Sequence, residues 1–103
     1  MSDKLPKLQA MLEKQPNDPF LLYGIAMEHK KMNDHATALS FLDRCIAVDP
    51  NYCYAYFQRG QICEITGDFD AAKRSYNDGI VAARRVGDAH AQSELEGALS
   101  MLG

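Results

Sequence analysis

The feature that most constrains this chain is a period of 34 residues. Leu22, Ala26, Asn33-Asp34, Ala38 and Leu42 stand 34 positions before Tyr56, Gly60, Gly67-Asp68, Ala72 and Tyr76, matching in size or role. Pro50 against Arg84 breaks the match. The period also runs backwards: Gln15-Pro16-Asn17 precedes Asp49-Pro50-Asn51 by the same interval, with Leu8, Met11 and Leu12 before Leu42, Cys45 and Ile46. A repeat of this length is one supersecondary unit that buries its apolar face only by stacking on its neighbours. The chain therefore opens inside a repeat.

Punctuation by Pro, Gly, Asn and Asp divides the chain into six segments with helical apolar spacing and none with strand alternation. The first covers roughly residues 4 to 14, with Leu5, Leu8 and Leu12 on one face and Pro6 tolerated in its first turn. Asp18 is placed to cap the second, Pro19 suits its first turn, and Leu22, Ile25, Ala26 and His29 share a face ending near Met32-Asn33. The third, about 35 to 48, carries Ala38, Leu39, Leu42, Cys45 and Ile46. The fourth, about 52 to 66, and the fifth, about 69 to 86, repeat the second and third. Asn33 and Gly67 tolerate the left-handed turn that closes a helix, and Asp34 and Asp68 can cap the next. Gly79 weakens a helix locally, so its place in the buried stripe predicts a close helix contact. The last segment, Asp88 to Leu102, keeps helical spacing through Ala91, Leu95, Ala98, Leu99 and Leu102 but loses repeat identity, as a terminal cap does.

The residues Ala55-Tyr56, Gly60, Gly67-Asp68-Phe69, Ala72 and Tyr76 resemble a tetratricopeptide repeat close to consensus. The preceding copy resembles one more loosely through Leu22, Ala26, Ala38, Leu42 and Asp49-Pro50. The resemblance implies an all-α, right-handed α-α superhelix of antiparallel helix pairs with about six helices. It implies a single domain over 1–103: an N-terminal half repeat at 4–16, repeats at 19–52 and 53–86, and a capping helix at 88–102. Two departures stand out. Cys63 replaces a bulky residue, and the second copy ends without proline, which permits a longer helix.

Chemistry is sparse. His29, His35 and His90 lie on different segments, and Cys45, Cys53 and Cys63 fit no metal-ligand or disulfide spacing. A Cys63/His29 pair is the minimum for thiol chemistry, but both belong to core stripes and read as packing residues. Glu94 and Glu96 point to different faces, Asp68 and Asp70 bracket a helix start, and no glycine-rich phosphate loop occurs. Lys30-Lys31 and Arg84-Arg85 end helices, where cations are favourable. A net charge of −3, with acids and bases interspersed, offers no basic surface for nucleic acid. No apolar run approaches the ~20 residues of a membrane span, and the N-terminus lacks the apolar core of a signal peptide. The expectation is a cytoplasmic, noncatalytic protein without cofactor or metal.

What remains is a surface. Phe20, Tyr23, Met27 and Lys30 precede Tyr54, Phe57, Gln61 and Glu64 by the repeat interval and trace a second helical face, apart from the core stripe. In tetratricopeptide repeats the first helix of each pair lines a concave groove, so the resemblance implies that these eight residues meet a peptide or helical segment of a partner protein. The alternatives are that Phe20 and Tyr23 pack on the N-terminal helix and Phe57 on the cap, or that the same apolar face or the open N-terminal edge joins two copies into a homodimer. Some family members grip a C-terminal carboxylate with Lys and Asn in this groove. Here those places hold Tyr23 and Met27, so the groove suits an apolar or aromatic segment, with Lys30 and Glu64 setting its orientation.

Overall fold

A computed structural model describes residues 3–103. Met1 and Ser2, part of the N-terminus read above for a signal peptide, lie outside them. Among the described residues there are six helices and no strand: α1 (Leu5–Lys14), α2 (Pro19–Lys31), α3 (His35–Val48), α4 (Cys53–Ile65), α5 (Phe69–Val86) and α6 (Ala89–Ser100). These limits fall within one residue of most of the segment boundaries expected above.

The starts and stops have local causes. Asp18 caps α2 by accepting from the Phe20 and Leu21 amides at 2.9 and 3.4 Å, with Pro19 behind it in the first turn. Asp34, Asp68 and Asp88 accept from the Thr37, Ala71 and Ala91 amides at 3.3, 3.1 and 3.0 Å, each satisfying an amide that its helix leaves unpaired. The helices before them close alike. Asn33, Gly67 and Gly87 adopt φ of 60°, 85° and 72°, which returns the Asp34, Asp68 and Asp88 amides to the carbonyls of His29, Cys63 and Ala83 at 2.8 to 2.9 Å. The same aspartate thus ends one helix and begins the next. Without a proline at Arg84, α5 runs for 18 residues against 14 in α3.

The chain divides into two compact units, one running to Asp49 and the other from Pro50 to Gly103. In the first, α2 and α3 form a hairpin and α1 lies on α2. α2 buries Leu21, Leu22, Ile25 and Ala26 and α3 buries Ala38, Leu42 and Cys45, with Leu22, Ile25 and Leu42 wholly buried. Each such side chain contributes about 1.5–3 kcal/mol by leaving water. At the open end, the Cys45 thiol donates to the Pro19 carbonyl at 3.4 Å, and burial, aided by Asp49, pushes that thiol up to about 12. At the closed end His29 stacks on Phe41 at 5.8 Å, and its Nδ1 lies 3.3 Å from Asp34 Oδ2. His29 is a packing residue there, as its place in the stripe predicts.

In the second unit α4 and α5 form the hairpin, and α6 covers α5 and touches α4. Gly60 lies against the Tyr76 ring, which is fully buried. Gly79 sits where three helices converge, since a Cβ there would stand 2.8 Å from both Tyr56 Cβ and a Leu95 methyl. The close contact expected from sequence is therefore present. Buried Ser75 is accounted for by Arg59, whose Nε donates to its hydroxyl at 3.0 Å. The Tyr56 hydroxyl donates to the Pro50 carbonyl at 2.7 Å, and Arg85 Nε to Asn51 Oδ1 at 2.7 Å, which ties the segment before α4 to both helices.

Gly97 contrasts with these two. It lies within α6, its φ is not positive, and no atom outside its own helix neighbourhood comes within 4 Å of a Cβ placed there. Gly97→Ala is therefore expected to stabilise the protein by about 0.5–1 kcal/mol through backbone entropy alone. A thermal melt showing no gain or a loss contradicts this.

Candidate interaction surface

The first helix of each hairpin presents the residues expected to meet a partner. On α2, Phe20 is 70% exposed in the first turn, while Tyr23, Met27 and Lys30 are half-buried. Partial burial lowers the pKa of the Lys30 ammonium. The exposure of Phe20 tells against its packing on α1. On α4, Tyr54, Phe57, Gln61 and Glu64 are all half-buried.

The α4 residues are connected. Tyr54 meets Phe57 edge to face at 6.5 Å and 72°, a favoured arrangement of aromatic rings. Phe57 rests in turn against Tyr76 at 6.1 Å. Because Gly60 has no side chain, the Tyr76 ring fits beneath α4 and its hydroxyl reaches Glu64, to which it donates a hydrogen bond. Burial and that bond to Glu64 push the Tyr76 phenol well above its ordinary value. Glu64, expected as an orienting charge, is thus engaged by its own hairpin. The sequence marked Tyr76 only as core; its support of Phe57 and its bond to Glu64 had no signal beyond the glycine one helix away.

The remaining charged and polar side chains take ordinary places. Lys31 pairs with Glu28 at 3.2 Å, Arg84 with Glu96 at 3.6 Å, and Arg85 bonds Asn51, so each basic pair contributes a cation to local structure. Cys63 is buried in α4. Between α5 and α6 lies an open cleft of about 360 Å³, floored by Ile80, Val81 and Leu99 beside the Arg84–Glu96 pair. Among the described residues, no three His, Cys, Asp or Glu gather as metal ligands, and no helix is long and apolar enough to cross a membrane. Ile65 and Phe69, more than half exposed at the turn between α4 and α5, are apolar surface to which the sequence assigned no role.

Comparison with known proteins agrees with this architecture. Sequence profiles of the tetratricopeptide repeat match residues 21–52, the first hairpin, and 41–74, which runs from α3 through α4 into α5. A TPR repeat-containing protein of Pseudomonas aeruginosa is 27% identical over 88 residues, 85% of this chain and 84% of that one. The crystal structure of a tetratricopeptide repeat domain protein from Salinibacter ruber is 33% identical, with a TM-score of 0.77 over 82% of this chain and 94% of the other. A Bordetella parapertussis protein solved in solution reaches a TM-score of 0.84 at 25% identity, over 99% and 89%. The fold class is all-α and tetratricopeptide-like, as the 34-residue period predicts, and with six helices, two left-handed hairpin turns one period apart and these relatives, the chain belongs to the tetratricopeptide repeat family.

Proposed function

We propose that this chain is a noncatalytic protein-binding module in which the partially exposed face of α2 in the first unit and that of α4 in the second each meet a peptide or helical segment of a partner. Tetratricopeptide repeats are in general protein-protein interaction modules. The observation that carries the reading is the ring set of α4: half-buried Tyr54 and Phe57, held edge to face and backed by wholly buried Tyr76. Aromatic side chains lose little rotamer entropy when they bind, and these are already ordered by their own hairpin, so a partner gains contact area at small ordering cost. Phe20, Tyr23 and Met27 supply a comparable apolar face on α2.

The test is partner recovery from native lysate by the wild type and by a Tyr23→Ala, Phe57→Ala double variant, with helicity checked by circular dichroism. The double variant is expected to retain its helices and lose its specific partners, since truncating buried aromatic anchors typically costs about 2 kcal/mol or more of binding. Unchanged recovery by a folded variant rejects the assignment. Sedimentation separates partner binding from self-association: a dimer that the same substitutions dissociate identifies a second copy as the occupant.

A further inference from the structure

We infer that this chain associates with itself head to tail, the α1 helix of one copy seating Met11, between Lys7 and Lys14, in the cleft between α5 and α6 of another. The occupant is a second copy, and both surfaces are separate from the faces of α2 and α4 that meet a partner.

The repeat register says what each surface is built to meet. Counted by 34 residues, Met11 of α1 corresponds to Cys45 of α3 and Gly79 of α5, the second helices of the two hairpins. Both of those residues are buried and face the first helix of their hairpin. The Cys45 thiol donates to the Pro19 carbonyl of α2, and a Cβ on Gly79 would stand 2.8 Å from Tyr56 Cβ of α4. Met11 is instead 53% exposed, and α1 buries none of its residues. Helix α1 therefore displays the hairpin face of a second helix.

Helix α6 is its converse. Asp18 and Asp88 cap α2 and α6, so counting from the caps matches Leu21, Ile25, Ala26 and His29 to Ala91, Leu95, Glu96 and Leu99. Ala91 and Leu95 are buried, as Leu21 and Ile25 are. The other two positions face a second helix in the hairpins: His29 stacks on Phe41 of α3, and Gly60, one period after Ala26, lies against Tyr76 of α5. In α6 those positions, Leu99 and Glu96, line the open cleft with Ile80 and Val81 of α5. Helix α6 therefore displays the hairpin face of a first helix, and one molecule carries both halves of a hairpin contact.

The two halves also match in chemistry. Methionine is flexible and fills irregular apolar gaps, and Ile80, Val81 and Leu99 give it an apolar floor. Lys7 and Lys14, both exposed, stand four residues before and three after Met11, so they flank it on one helix face. Helix α6 has two glutamates and no lysine or arginine. Glu96 at the rim meets Arg84 at 3.6 Å, a contact between exposed groups that contributes little and leaves the carboxylate able to accept from a lysine. Because the two surfaces differ, the contact is heterologous and either extends past a dimer or closes into a ring.

Sedimentation velocity of the wild-type chain over a range of concentrations tests this. The mass is expected to rise above that of a monomer with concentration and to fall back in high salt, which screens the lysines. Met11→Asp and Val81→Asp, both at exposed positions, are each expected to keep their helicity and to weaken association on the order of tenfold or more. Mixed together, the two variants are expected to associate again and stop at a dimer, because one supplies an intact cleft and the other an intact α1. A strict monomer at high concentration, an assembly that salt or either variant leaves intact, or a mixture that stays monomeric overturns the inference and leaves the partner-binding faces standing. An assembly abolished by Tyr23→Ala with Phe57→Ala also overturns it, because the second copy then sits on the aromatic faces.

Discussion

Tyr76→Ala is expected to lower the unfolding free energy by about 3–5 kcal/mol, the range for deleting a large buried aromatic. The side chain is fully buried, and three groups depend on it. Gly60 leaves the space its ring fills, Phe57 rests on that ring at 6.1 Å, and Glu64 accepts from its hydroxyl. Tyr76→Phe separates the contributions. It keeps the ring and removes the hydroxyl, and is expected to cost about 1–2 kcal/mol, because half-buried Glu64 can turn to water once the donor is gone. Urea unfolding followed by circular dichroism measures both. A loss below about 1 kcal/mol in Tyr76→Ala contradicts the packing described.

Gly60→Ala and Gly79→Ala are expected to destabilise, although alanine is the better helix former by about 1 kcal/mol. At Gly60 the added methyl falls on the Tyr76 ring, closer than non-bonded carbons approach, and a ring packed on all sides cannot step away. At Gly79 the Leu95 methyl can rotate, but Tyr56 Cβ, 2.8 Å away, moves only with the α4 backbone. Overpacking of a closed core costs about 1–3 kcal/mol, enough to exceed the propensity gain at both sites, and the loss should be larger at Gly60. Gly97→Ala is the internal control, since the same exchange in open space changes only the propensity. Melting temperatures that fall for Gly60→Ala and Gly79→Ala and rise for Gly97→Ala bear out the three environments. Equal shifts in all three would contradict them.

The candidate surface was legible as a pattern and not as a set of contacts. Offsets of three and four residues put Tyr54, Phe57, Gln61 and Glu64 on one side of α4, and the 34-residue period put Phe20, Tyr23, Met27 and Lys30 on the matching side of α2. Spacing along one helix does not say what reaches across from another. Glu64 illustrates this: its place on the face suggested a free orienting charge, whereas the Tyr76 hydroxyl twelve residues away engages it.

The amino-acid sequence was sufficient for the helices and their hairpin turns. Apolar spacing, an aspartate at each of four starts, and asparagine or glycine at each left-handed stop act over one to five residues, and such local preferences hold wherever the segment lies. The contacts that pack the second unit needed the folded chain. Gly60 against Tyr76, Gly79 against Leu95, and Arg85 on Asn51 join residues 16 to 34 positions apart, where the partner is chosen by volume and direction after the helices have docked. Pattern names the face of a helix, and only close packing names the neighbour.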